Sequence, residues 1–453
     1  MRAALVAAVL AVACGERTQA AQPPPAPPAT EVPTPVEAEP WSDAWLAREG
    51  QRFVSDTPYR RAALEHSLAN HANMYSHHRL SRYALGDAGW DLLPVWNPRS
   101  AQVDAAAARQ LERGEMPDAP AQRLWDGVVP TTMAGWVELG RRVFFAYPLR
   151  AEVFFEWGMT RPDVVAAAGV ERTADGAVPG MVVFGDVDGE TRVGITCAMC
   201  HAKVEGGVAV AGGARRNFDY GRLRLAYFAD TGEYVDPDQA RRMKSWGPGR
   251  ADVTEDDDED PVAIPDLWGL RSQGWLTSAG TIRHDSPLAL AIRQETQLID
   301  ANHQKIRPPR ELAWALAMYV YSLAPPARAA AESPAIRRGA AVFAEGCARC
   351  HANAARGGKR IAVAAIGTDP GLATGRGRGT GHYRVPPLVR LAEGAPFLHD
   401  ASVATLSELL SPDRLAPGYR AGRLGPGPIR GHVFGTELSA TDRAALIAYL
   451  ETL

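Results

Sequence analysis

A chain of 453 residues with 49 Lys and Arg against 52 Asp and Glu has a formal charge of −3, which leaves no basic surplus for gripping a nucleic acid or an anionic membrane surface. The length allows two or three domains. No stretch, the short apolar run near the N-terminus included, is long and apolar enough to cross a bilayer, so membrane contact is expected through a lipid anchor alone.

At the N-terminus, Met1-Arg2 supplies a short positive start, residues 3–13 are apolar, and Ala-Val-Ala precedes Cys14. The pattern reads as a bacterial lipoprotein signal peptide over 1–13, with Cys14 the acylated first residue of the mature chain; a plain secretory signal cut beyond Ala13 is the alternative. Either one exports the chain, to the periplasmic side of a bacterial membrane or the cell surface. Residues 14–40 are rich in Pro, Ala and Glu and have little to bury, as expected of an extended tether.

From 41 to 191 the sequence predicts a mainly helical extension. Helix-like apolar spacing occupies 43–52 and 59–85, more apolar and aromatic residues follow over 137–157, and breaks at Gly86, Pro94 and Pro98 argue for several short elements. Val182-Val183-Phe184 and Arg192-Val193-Gly194-Ile195 flank 186–190 as the two arms of a small hairpin.

Four of the five cysteines fall into two C-x-x-C-H pentapeptides, Cys197-Ala198-Met199-Cys200-His201 and Cys347-Ala348-Arg349-Cys350-His351. This is the signal for covalent c-type haem attachment: both thiols add to porphyrin vinyl groups, and the adjacent imidazole ligates iron from one face. A zinc site would need four closed ligands and a redox disulfide a βαβ context, and the sequence offers neither. Two haem c groups are therefore expected, and export suits their attachment.

The haem regions form a weak internal repeat. After His201 come Ile264-Pro265-Asp266-Leu267, Gly274-Trp275-Leu276, a helix-like run over 286–298 and a closing helix over 310–323; after His351 come Val385-Pro386-Pro387-Leu388, Ala395-Pro396-Phe397-Leu398, a run over 405–410 and a closing helix over 439–453. Pro325-Pro326 ends the first closing helix, so the expected haem domains are 192–325 and 326–453. The fold class that follows is mainly α: two cytochrome c-like helical domains behind a helical extension, with little β. An acidic run at 252–260 lengthens the first half; such a run is ordinarily a solvated face, with docking of a basic electron donor or a Ca2+ site as the sharper readings.

Two C-x-x-C-H motifs at this separation, together with residues 384–410 (RVPPLVRLAEGAPFLHDASVATLSELL), resemble the bacterial di-haem cytochrome c peroxidase superfamily, which includes the rubber oxygenases. The likeness covers about 194–453, and Ala401 stands where that group usually has Gly. The resemblance implies a sixth ligand for the second haem, commonly Met, yet all nine methionines lie at or before Met318. His432, shortly before the last helix, takes that place, with His382 and His399 as rivals. Bis-His ligation implies a low-spin, low-potential second haem. Met243, His284 and His303 are the candidates to fill the far side of the first haem. Trp275 and Glu295 fit the superfamily's spacing for an electron bridge and a proton-moving acid–base group, with Trp246 as the alternative bridge. The function implied is a peroxidase-like oxidoreductase in which the second haem feeds the first, supplied by a small redox protein or a quinol-linked donor. A non-catalytic electron carrier and a rubber-oxygenase-like dioxygenase are the alternatives.

Overall fold

The computed structural model describes residues 39–252, 256, 258–328, 332–352 and 355–453. The signal peptide, Cys14 and nearly all of the tether lie outside these residues, as do 253–255 and 257 of the acidic run. The described chain from Pro40 onward is one compact unit. It is mostly helical with small sheets, in accord with the predicted class.

The extension opens with α1 (Asp43–Ser55), capped by the Ser42 side chain, and α2 (Thr57–Ser67), capped by Asp56. The helical spacing over 59–85 does not give one continuous helix. It breaks after Ser67 and resumes as α3 (Met74–Leu80), because tertiary partners claim the intervening backbone and amides. Leu68 bridges to Ile282, the Asn70 and Asn73 amides donate to Gly379 O at 2.8 and 3.1 Å, and the Asn73 carbonyl oxygen caps α3. The extension is thereby fastened to both halves of the repeat.

The expected hairpin forms, and lies within a larger sheet. Strands β1 (Arg99–Gln102), β2 (Arg150–Ala151), β3 (Met181–Gly185) and β4 (Thr191–Ile195) are ordered β1-β3-β4-β2, all antiparallel. Every residue of β3 is buried, so the sheet is a core element and not a surface ornament.

Two helix crossings organise the two halves of the repeat. Helix α4 (Met133–Ala146) packs across α6 (Arg310–Ser322), with α5 (Pro287–Ala301) alongside, and α7 (Pro334–Gly346) packs across α8 (Ala440–Leu450). At the crossings sit Gly140 and Gly339, where an added Cβ would overlap the carbonyl oxygens of Ala315 and Ala445 and press on the Cβ atoms of Tyr319 and Tyr449. The two glycines belong to one pattern, Gly140-x-x-Val143-Phe144 and Gly339-x-x-Val342-Phe343, and both Val-Phe pairs are buried. Glycine lets the backbones close up; the Val and Phe beside it each contribute about 1.5–3 kcal/mol by leaving water. The first half thus takes its opening helix from the stretch read as extension. Helix α6 is apolar around its circumference and buried from Leu312 to Val320, since α1, α4 and α5 enclose it.

Candidate functional site

The second C-x-x-C-H motif follows α7 without a break. Cys347 N–H donates to Phe343 O at 2.8 Å, and Cys350 and His351 N–H both donate to Cys347 O at 3.1 Å, so one helical turn carries both thiols and the imidazole. His351 Nδ1 bonds the Arg356 carbonyl at 2.7 Å. A carbonyl only accepts, so the proton is on Nδ1 and Nε2 keeps its lone pair for a metal. Burial lowers the pKa of His351 and raises that of the Cys347 thiol.

The motif opens into a cavity of about 290 Å³ whose wall includes Cys347, Cys350, His351, apolar residues such as Phe343, Val385 and Leu446, and His432. His432 is built into place. Its φ is +46°, and the preceding Gly431 (φ +88°) lies so close to Thr368 that a Cβ would collide with it. The fully buried Arg414 gathers four carbonyls, Leu409 (2.9 Å), Ile429 (2.6 Å), Gly431 (2.9 Å) and His432 (2.9 Å), and so clamps the loop. His432 Nδ1 is buried without a hydrogen-bond partner. Desolvation, then repulsion from His351, pushes its pKa down to about 4, so the ring is neutral and able to ligate.

The rivals fare differently. His399 lies on the same wall, yet its ring is 4.2 Å from that of Tyr383, and Nε2 is 3.0 Å from Tyr383 Oη. His382 is absent from the wall, and its Nδ1 bonds Thr380 O at 2.9 Å.

The first motif sits on a one-turn helix, Ala198–His201, cradled by Gly180, where a Cβ would overlap the Met199 backbone. The fully buried Arg215 binds Ala202 O (2.8 Å), Pro179 O (2.5 Å) and Met199 Sδ (3.4 Å). His201 Nδ1 bonds Pro265 O at 3.0 Å, which again reserves Nε2. Desolvation pushes His201 down to about 4 and the Cys197 and Cys200 thiols up to about 11.

Pro265 links the two motifs. While its carbonyl holds His201, Ala263, Ile264, Pro265, Asp266 and Trp268 line the second motif's cavity. Asp266 anchors the segment through Ala214 N–H (2.7 Å) and Arg216 (2.6 Å). Trp268, buried with its Nε1–H on Ala211 O at 3.1 Å, stands in this shared wall. Sequence reasoning passed over it; its position directly after Pro265-Asp266-Leu267 of the repeat is the signal that marks it.

The other sequence candidates are distributed as follows. Trp275 is half-buried between Arg360 (3.7 Å to the ring centroid) and Arg283 (5.5 Å), at the join of the halves and off the cavity wall. Trp246 is buried against Tyr220 with ring centroids 5.9 Å apart. Glu295 is fully buried and faces the extension: Oε2 accepts from Tyr83 Oη at 2.6 Å, Oε1 lies 3.2 Å from Arg310 Nε, and Arg310 continues to Asp91 at 3.1 Å. His284 has both nitrogens engaged, Nδ1 with Gln273 O (2.7 Å) and Nε2 with Tyr321 Oη (2.5 Å). His303 is exposed on a turn at φ +55°, and Met243 is buried. Among the described residues, no group of three or more His, Cys, Asp or Glu is placed to hold a free metal ion, and no helix is long and apolar enough to cross a membrane.

The donor sets fit covalently held haem: paired thiols, an imidazole with Nδ1 tied back, and, at the second motif, an apolar cavity with an orphaned buried imidazole on its wall. Residues 336–453 match the cytochrome c family, which implies covalently bound haem c there. No curated protein matches the chain. Among solved structures, one described as a MauG-like protein associated with microbial copper homeostasis is similar at 18% identity with a TM-score of 0.31, covering 47% of this chain and 79% of its own. That likeness is too slight to build on.

Proposed function

We propose that this chain is an exported di-haem c-type cytochrome with peroxidase-like activity, in which a bis-His second centre delivers electrons to the first. The observation that carries the reading is the convergence, in one apolar cavity, of Cys347, Cys350 and His351 with His432 from far downstream. The bound groups would supply reversible one-electron chemistry and, at an iron with a free position, peroxide reduction.

The chain's own residues do the rest. Pro265 O and Arg356 O fix the tautomers of His201 and His351, and Arg414 holds the strained His432 loop. Two imidazoles without a thioether favour a low potential. The segment from Pro265 to Trp268 offers a bonded route from the first motif's imidazole into the second cavity's wall. Trp275 is less suited to this bridging role, because two flanking guanidinium groups disfavour removal of an electron from its indole.

At the first centre, His284 and His303 are accounted for without iron, which supports an open coordination position. Met243, buried and apolar, is the residue on which the rival reading of a non-catalytic carrier turns. The test is the paramagnetic spectrum of the oxidised holoprotein. One high-spin and one low-spin iron, with the high-spin signal lost on adding peroxide or cyanide, is the expected result. Two low-spin irons indifferent to both would overturn the enzyme reading in favour of the carrier.

A further inference from the structure

Tyr321 and His284 form a hydrogen-bonded pair that electron delivery between the centres leaves unused. Tyr321 stands near the end of α6, and its Oη lies 2.5 Å from His284 Nε2. The direction of that bond is fixed from the other side of the imidazole. His284 Nδ1 lies 2.7 Å from Gln273 O, and a carbonyl only accepts, so the ring proton is on Nδ1 and the phenol donates to Nε2. His284 is 3% exposed, and desolvation pushes its pKa down to about 4, which leaves the ring neutral with a lone pair on Nε2. Burial raises the pKa of the Tyr321 phenol well above its ordinary value, so at rest the proton stays on oxygen. The two rings are stacked at 26° with centroids 5.5 Å apart.

A phenol that loses an electron becomes a strong acid, so its oxidation is easy only where a base stands within hydrogen-bond reach of the proton. Tyr321 meets that condition. Tyr383, on the second motif's cavity, meets it less well, because its Oη donates to Asp369 O at 2.8 Å besides lying 3.0 Å from His399 Nε2. The pair is also connected to both motifs. Tyr321 packs against the same apolar core as Cys197, and Gln273 Oε1 accepts from Arg384 Nη1 (3.4 Å) on the second cavity's wall. On the other side, Trp41 meets the Tyr321 ring edge-on with centroids 5.5 Å apart, while the Arg271 guanidinium lies 5.6 Å from the Trp41 ring. That charge disfavours a positive indole, so an oxidising equivalent that reaches Tyr321 stays there.

We propose that Tyr321 is a redox-active residue, a one-electron donor to a haem iron that peroxide has oxidised, with His284 as its proton acceptor. The electron leaves the phenol, the O–H bond breaks, and the proton forms a new N–H bond at Nε2. A neutral phenoxyl and an imidazolium remain, and return of one electron restores the phenol as the proton goes back. The Gln273 carbonyl and the neighbouring Asp285 favour the imidazolium, and Arg384 opposes it. This rests on the peroxidase-like reading: Tyr321 supplies one of the two electrons that peroxide reduction consumes when the second centre has none to give.

The experiment is paramagnetic resonance of the holoprotein, frozen at intervals after mixing with stoichiometric hydrogen peroxide, for the wild type, Tyr321→Phe and His284→Gln. The wild type is expected to give a phenoxyl signal and Tyr321→Phe to lose it. His284→Gln, whose amide accepts a hydrogen bond without taking the proton, should form the radical roughly a hundredfold more slowly. If a variant does not accumulate, the wild type made with ring-deuterated tyrosine decides: a narrowed signal supports the proposal, and an unchanged line shape sinks it. An iron that consumes peroxide and leaves no phenoxyl, or a signal that survives Tyr321→Phe, also overturns it. An iron indifferent to peroxide fails the peroxidase-like reading instead. Flash oxidation by a ruthenium(III) polypyridyl complex, which bypasses the iron, then decides whether the pair is redox-active. A phenoxyl yield that falls in both variants supports the pair, and equal yields in all three proteins overturn it.

Discussion

In the second half the chain passes from Phe343 to Cys347 within one helical turn. In the first it leaves Phe144, makes two short helices and strands β2, β3 and β4, and only then presents Cys197. Both routes preserve the crossing of a Gly-x-x-Val-Phe helix over a closing helix. What the halves share is therefore a set of packing relations, and the segment between the crossing helix and the thiols is free to grow. The Val-Phe pair stays buried at both crossings, Val143 and Phe144 at 1% and 0% exposure and Val342 and Phe343 at 6% and 5%.

The sharpest way to break the comparison is to remove the thiols from one half at a time. Cys197→Ser with Cys200→Ser, and Cys347→Ser with Cys350→Ser, should each reduce the mass of the holoprotein by one haem and leave the other attached; loss of neither or of both would show that the halves are not equivalent attachment sites. Next in size, His432→Ala should convert the low-spin second centre to high spin in the paramagnetic spectrum, and an unchanged spectrum would return His399 to consideration. Glu295→Gln addresses the buried network peculiar to the first half. With Arg310 losing one of its two carboxylate neighbours and keeping Asp91, we expect a stability loss of about 2 kcal/mol by denaturant unfolding and no change in the first centre's spectrum. A spectral change with stability intact would instead place Glu295 at the reacting centre. Gly140→Ala and Gly339→Ala test the shared crossing itself. Each added methyl meets a backbone carbonyl, so each should cost about 1–3 kcal/mol. Equal losses support a common crossing, and a negligible loss in either half refutes it there.

Several features were legible from residues alone because they are local. The haem motifs need only five consecutive residues, and the closing helices announce themselves by apolar spacing. His432 stood out through the family resemblance, which implies a ligand at that place while no methionine follows the second motif. The break after Ser67 was not legible, because the interactions that stop the helix come from Ile282 and Gly379, distant in sequence. Glu295 and Trp275 matched by spacing, yet spacing does not say which way a side chain faces: one turned to Tyr83 and Arg310, the other to Arg360 and Arg283. The assignment of α4 to the first half was available in principle from the repeated Gly-x-x-Val-Phe, but the insertion before Cys197 separated that pattern from its motif.

By itself the sequence determined the mainly helical class and displayed two C-x-x-C-H pentapeptides, because helical periodicity and motif chemistry act over a few residues, while His432 was offered as a sixth ligand through the family resemblance. Only the tertiary structure decided that α4 crosses α6, that Pro265 serves both motifs, and that Arg384 meets neutral acceptors from the first half. Those relations join residues scores of positions apart, and close packing and the desolvation of buried charge act on spatial neighbours, which no linear pattern records.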